Sequence, residues 1–264
     1  MATVREIYDL LDQKAPFRYQ MGFDNAGFLV GRGDREVSKV LVALDITPEV
    51  IAEAVDTGCQ LIVAHHPVIW GQIGQVNDQT STGRKLLTLI ENGIAAICAH
   101  TNLDAVEEGV NAELARRMGM LDPVPLEVDG EDERGVPYGI GRVGTLPAPM
   151  TLADFAAFTK RALDLDGVRV LDAGVPVSKV AVGGGACGSM LPLVKAQGCD
   201  TFVTSDLKHD LYLEARDMGI NLLDAGHYST ETVVCPVVKT WLETAFPGLT
   251  VEVAVNQGEV FAYF

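Results

Sequence analysis

Apolar residues in this chain fall into two recurring patterns. The first is a short unbroken run bounded by Gly, Asp or Pro, seen at Val40–Leu44, Leu61–Ala64, Ala95–Ala99, Val180–Val182, Thr201–Thr204 and Asn221–Asp224. Runs of that length predict strands buried on both faces. The second pattern has helical spacing. "TPEVIAEAVDTG" offers Thr47 as N-cap, Pro48 at the first helical position and Gly58 as the stop. "GRKLLTLIENG" and "DLYLEARDMG" close on Gly in the same way, and "VREIYDLLDQ" opens the chain as a helix. Strands alternating with helices predict an α/β fold.

The pattern also repeats. "SKVLVALDITPEVIAEAVDTGCQLIVAHH" aligns without a gap on "SKVAVGGGACGSMLPLVKAQGCDTFVTSD", 140 residues later. "ENGIAAICAH" then matches "DMGINLLDAGH" at an offset of 126, so the first copy has a loop about 14 residues longer, filled by "QIGQVNDQTSTG". An internal duplication follows. The stretch from Leu121 to Pro149 is rich in Pro, Gly and acids, and reads as a linker running into an exposed hairpin. "RVGTLPAPMTLADFAAFTKRAL" next gives a strand, a turn and a helix capped by Thr151. The expected domains are 1–125 with 232–264, and 126–231. The closing "VEVAVNQGEVFAYF" is β-like and is expected to rejoin one of the sheets.

Composition narrows the partners. At 264 residues and 48% hydrophobic, the chain has material for one large or two modest cores. A net charge of −16, with no basic run longer than Arg116-Arg117, argues against a nucleic-acid partner. Five cysteines with no Cys-x-x-Cys read as buried thiols in a reducing compartment. No run approaches the roughly 20 apolar residues of a membrane span, so a cytoplasmic protein without a membrane partner is expected.

Two of the five histidines stand side by side, His65 and His66, where a predicted buried strand ends. In open α/β sheets that carboxyl edge is where ligands bind. Neighbours in extended chain point to opposite sides, which suits two targets. His100 and Asp104 follow the next strand. In the second copy, His227 and Glu231 follow the equivalent strand, and at i,i+4 they share a helix face. Imidazoles with carboxylates are the ligand set for paired Zn, Fe, Mn, Co or Ni ions. Plainer accounts stay open for each: hydrogen-bonded structural histidines, a surface His227–Glu231 pair, and Asp104 as cap of the helix in "AVEEGVNAELARRM". His100 also suits a group that orients a ligand.

Weaker signals accompany these. Gly183, Gly185 and Gly188 fit G-x-G-x-x-G after a strand. That loop reads as a nucleotide loop, as a lid or phosphate-approaching loop, or as a tight structural turn. Asp24 and Asn25 suit a cavity edge or a plain turn. Lys208 and His209 suit the same cavity or a structural ion pair.

Taken in order, "DNAGFLVG", "HHP", "HTNLD", "GGGACG", "TSDLKHD" and "GHYSTE" resemble the motif series of the GTP cyclohydrolase 1 type 2 homologues, also called the Nif-three-like family, over nearly the whole chain. The resemblance implies two intertwined copies of one α/β motif with mixed sheets and a dinuclear metal site between them. It also implies a ring-shaped homohexamer around an internal cavity. Carried over by position, the ligands would be His65, His66, Asp104, His227 and Glu231, with Glu231 bridging two divalent metal ions. Five protein ligands leave positions open for water and substrate. The chain departs from the family pattern at Phe23, where Trp is common, and at Ser205 and Asp210, which replace Gly and His. Those positions bear on substrate and not on the five ligands.

The function expected is therefore a dinuclear metal-dependent hydrolase acting on a small-molecule substrate such as a nucleotide. His100, Asp206 or His209 would move protons. If the family name carries over, activated water attacks C8 of guanine in GTP, with the Gly183–Gly188 loop or Lys208 on the phosphates. A phosphoesterase or another amidohydrolase would use the same centre. The alternative is a non-catalytic metal- or metabolite-binding ring with a regulatory or interaction role.

Overall fold

The computed structural model describes residues 2–262. The chain forms two compact units, Met1–Leu103 with Val234–Gly258, and Asp104–Val233 with Glu259–Phe264. Both are mixed α/β.

The first unit is built on a five-stranded sheet in the order Thr250–Val253, Lys39–Ala43, Leu61–Ala64, Ala95–Cys98, Gly27–Val30. The first four are mutually parallel, and Gly27–Val30 pairs antiparallel at the edge. The strands Leu61–Ala64 and Ala95–Cys98 are buried at every position, as unbroken apolar runs require. Pro48–Asp56 is a helix with Pro48 in its first turn, and the Thr47 hydroxyl accepts from Val50 N at 3.2 Å. Its buried residues Val50, Ile51 and Ala54 pack with Leu41, Ile62, Leu86 and Leu89 into one core. Truncating a leucine there to alanine should cost about 2–5 kcal/mol.

The second unit carries six strands in the order Arg169–Leu171, Asn221–Asp224, Thr201–Thr204, Val177–Val182, Arg142–Met150, Leu121–Pro125. Its three central strands are parallel and the others pair antiparallel. Leu152–Ala162 is capped by Thr151, whose hydroxyl accepts from Asp154 N at 3.1 Å. Phe155, Val180, Val203 and Leu223 centre a second core.

The repeat holds to the residue. Val40 pairs with Leu61 as Val180 pairs with Thr201, and Leu61 pairs with Ala95 as Thr201 pairs with Asn221. The edge chemistry repeats as well. The Gln60 side chain accepts from Ser38 N and Lys39 N, and the Asp200 carboxylate accepts from Ser178 N and Lys179 N.

Two expectations need correcting. The stretch 121–149 is not a linker, because Leu121–Pro125 and Arg142–Met150 pair in the second sheet, with a two-residue hairpin pair, Gly130–Glu131 and Pro137–Tyr138, beyond them. Leu121–Pro125 is an exposed edge strand, so it has no apolar run and tolerates Pro123 and Pro125. At the other end, the closing stretch rejoins the first sheet as expected, through Thr250–Val253 beside Lys39–Ala43, but no more of it is strand among the described residues.

Candidate metal centre

In the first unit, two loops at the carboxyl edge of the sheet bring His65, His66 and His100 together. Ring centroids lie 5.0 Å apart for His65–His66, 5.0 Å for His65–His100 and 5.4 Å for His66–His100. The expectation that His65 and His66 face opposite ways fails, because the chain has left the strand at Ala64 and bends through both residues. Their alternation therefore no longer applies.

Each ring has its Nδ1 committed. His65 Nδ1 donates to Ala99 O at 2.9 Å. His66 Nδ1 is 2.8 Å from Asp45 Oδ1, and His100 Nδ1 is 2.9 Å from Asp24 Oδ1. Such acceptors fix the tautomer and leave Nε2 of each ring as the nitrogen that could meet a metal or a proton. One ring nitrogen from each of the three falls within 4.8 Å of the others. A borderline divalent metal takes neutral imidazole readily, so this donor set fits one.

Asp24 anchors the cluster. It also accepts from Thr101 N at 3.0 Å and Thr101 Oγ1 at 2.5 Å, with its side chain closed off from solvent. Burial alone would raise its pKa. The hydrogen bonds from His100 and Thr101 outweigh that and hold the carboxyl down to about 2. Buried Asn102 accepts from His100 N at 2.9 Å and donates to Ala15 O at 2.6 Å, fixing the turn.

In the second unit, Gly226 turns the chain with φ 78° out of Asn221–Asp224 into the short helix His227–Glu231. His227 Nε2 lies 3.0 Å from Glu231 Oε2, so the pair shares a face as the spacing predicts. His227 Nδ1 is 2.6 Å from Asp206 Oδ2. The hydrogen bond to Glu231 is the chief reason the His227 pKa rises to about 9, against the pull of burial and with help from Asp206. Glu231 itself is buried.

The glycine-rich loop forms a wall against that pair. A Cβ on Gly185 would stand 2.1 Å from Glu231 Oε1 and 3.1 Å from His227 Nε2, and Gly185 has φ 65°. Only glycine fits there. Four of the loop's N–H groups turn inward: Gly183 on Val203 O, Gly184 on Asn111 Oδ1, Gly185 on Thr230 Oγ1 and Cys187 on Thr204 Oγ1. These bonds make that part of the loop a packing turn.

Asp104 is buried, and Asn111 Nδ2 donates to its main-chain oxygen at 3.0 Å. It does not cap the helix Val110–Arg117, whose N-cap is Gly109, because the chain needs the residues after Ala105 to turn. Lys208 and His209 are exposed at the start of His209–Met218, and His209 makes no contact with His227 or Glu231 among the described residues.

Three supporting residues escaped the sequence reading. Asp45 stands just past Lys39–Ala43, at the same edge as the histidines, and that place at a strand's carboxyl end is the signal that could have found it. Asn111 and Arg142 carried no such signal. Arg142 is 3% exposed and donates to Ala105 O, Val106 O, Gly139 O and Gly141 O. Burial lowers its pKa to about 10, opposed by the charges of Asp104 and Glu107.

Comparison with known proteins gives one consistent answer. A model of the family Duf34/NIF3 (NGG1p interacting factor 3) matches residues 2–259. A protein of Streptomyces coelicolor named GTP cyclohydrolase 1 type 2 homolog is 38% identical over 239 residues, covering 89% of this chain and 84% of that one. A Clostridium perfringens protein of the same name is 32% identical over 229 residues, 86% of each chain. The crystal structure of Staphylococcus aureus protein SA1388 superposes with a TM-score of 0.91 at 28% identity, over 100% of this chain and 99% of that one.

Proposed function

The chain belongs to the Duf34/NIF3 family, and we propose that it is a metal-dependent hydrolase of a small molecule, with a dinuclear centre of Zn, Fe, Mn, Co or Ni. One observation carries this reading. Three imidazoles each spend Nδ1 on a fixed acceptor and keep a nitrogen within 4.8 Å of the other two. Structural histidines have no need to gather in this way, whereas metal ligands do.

In this account His65, His66, Asp104, His227 and Glu231 would hold the ions. Bound ions supply Lewis-acid activation of water near neutral pH. The protein's own groups do the rest. Asp24 accepts from His100 Nδ1 and fixes the ring, so that Nε2 is the atom that would take up a proton and return it. Asp206 fixes the His227 ring through Nδ1. His209 is a further proton carrier at the exposed start of its helix.

The relatives' name makes GTP the first substrate to offer, with opening of the guanine imidazole ring as the reaction to look for. Phosphoesters and cyclic amides come next. Self-association into a homohexamer and a cytoplasmic location complete the proposal. Among the described residues no helix is long and apolar enough to cross a membrane.

The test compares wild type with Glu231→Gln in Zn, Fe and Mn, against GTP and a phosphoester panel. Turnover by wild type and a loss of at least about 100-fold in the variant is the expected result. If both proteins bind metal and neither consumes any substrate, the non-catalytic ring replaces the hydrolase.

A further inference from the structure

Trp70 lies on the loop that leaves His65 and His66. Its ring meets His100 at right angles, with centroids 5.2 Å apart and planes at 88°. It is 56% exposed, whereas Trp241, the only other tryptophan in the sequence, is 6% exposed. Phe23, beside Asp24, is 70% exposed. The loops that carry these two rings are laced together. Asn25 Nδ2 donates to Ile69 O at 2.8 Å, and Asp24 holds His100 at 2.9 Å. These bonds fix the backbone on either side of the exposed rings and set the geometry before any ligand arrives.

Large apolar faces left in water beside a convergent polar cluster mark a place where a ligand is received. A flat indole face selects a flat partner, through stacking. The surrounding chemistry restricts that partner further. The groups behind His66 and His100 are carboxylates, Asp45 and Asp24. The whole chain carries a net charge of −16. This environment offers a ring a platform and offers a phosphate little.

We propose that Trp70 is a specificity-determining residue, a stacking wall that holds a planar nitrogen heterocycle against His100 and beside His65 and His66, so that the substrate is recognised through its ring and not through phosphate. The proposal rests on the hydrolase reading above, because it names the class of molecule that the same cluster would act on.

The test titrates zinc-loaded protein with guanosine, adenosine and ribose 5-phosphate, following tryptophan emission and heat of binding. Both nucleosides should quench the emission and ribose 5-phosphate should not. Trp70→Phe should keep binding and lose the quench. Trp70→Ala should bind the nucleosides about 5- to 150-fold more weakly. Because Trp70 is exposed, both variants should fold as wild type does, which circular dichroism checks.

The proposal is overturned if Trp70→Ala binds guanosine as wild type does, if no nucleoside binds, or if ribose 5-phosphate quenches equally. It is also overturned if the emission follows protein concentration instead of nucleoside, which would mean that a second copy of the chain covers the ring. A parallel titration of metal-stripped protein separates the two levels. A wild type that takes up no zinc sinks the hydrolase, while the emission change on adding nucleoside still decides the role of Trp70.

Discussion

Asp206 holds His227 Nδ1 at 2.6 Å from a backbone position at φ 54°, a left-handed conformation that a non-glycine residue adopts at a cost. Strain that persists beside a histidine–carboxylate pair points to a contact the site requires. Asp206→Gly should relieve the backbone and release the ring together. The expected outcome is a metal affinity about 10- to 100-fold weaker with a melting temperature no lower than that of wild type. Chelator competition and thermal melts measure the two effects separately.

Metal uptake should depend on pH through His227. Its pKa of about 9 in the metal-free protein means that it carries a proton at pH 7, which a metal must displace. Affinity should therefore rise from pH 7 to 9, and calorimetry in buffers of different ionisation enthalpy should show proton release. The stability term has the opposite slope. A raised pKa stabilises the metal-free fold fully below the unfolded value near 6.5, and that stabilisation is lost as pH rises through about 9. Affinity unchanged across this range would remove His227 from the ligand set.

Asp24 should govern acid stability. Its folded pKa of about 2 lies below the ordinary value of 3.8, so its contribution is present above 3.8 and lost as pH falls through about 2. Asp24→Asn removes the charge and leaves His100 and Thr101 without their carboxylate. Urea unfolding at pH 7 should show a loss of about 1–3 kcal/mol, and the variant should lack the wild-type decline between pH 4 and 2.

Gly185→Ala tests the glycine wall. The methyl would meet Glu231 Oε1 at 2.1 Å from a backbone at φ 65°. Glu231 must move or the loop must open, so metal affinity should drop at least about tenfold. Gly58→Ala serves as the control. Its Cβ would meet nothing within 4 Å although φ is 71°, so it carries the backbone cost without the collision. Equal metal affinity in the two variants would show that the collision is absorbed elsewhere.

Much of the fold was legible because buried parallel strands advertise themselves. Leu61–Ala64, Thr201–Thr204 and Asn221–Asp224 match the predicted runs end to end, and both offsets of the repeat reappear as strand register. Thr47 and Thr151 were readable as caps because capping is local. Leu121–Pro125 was not readable, since an exposed edge strand has no apolar signature. The pairing of His227 with Glu231 followed from helical spacing. Most supports of the site did not, because Asn111 and Arg142 act through contacts far apart in sequence that no periodicity encodes, and Asp45 shows only its place at a strand end.

Anomalous diffraction from crystals of protein purified without chelator tests the central claim most directly. The account predicts metal peaks within coordination distance, about 2.0–2.2 Å, of the Nε2 atoms of His65, His66 and His227 and of a Glu231 oxygen. Well-ordered density for those side chains with no anomalous peak bonded to any of them, after incubation with Zn, Fe and Mn, would contradict it.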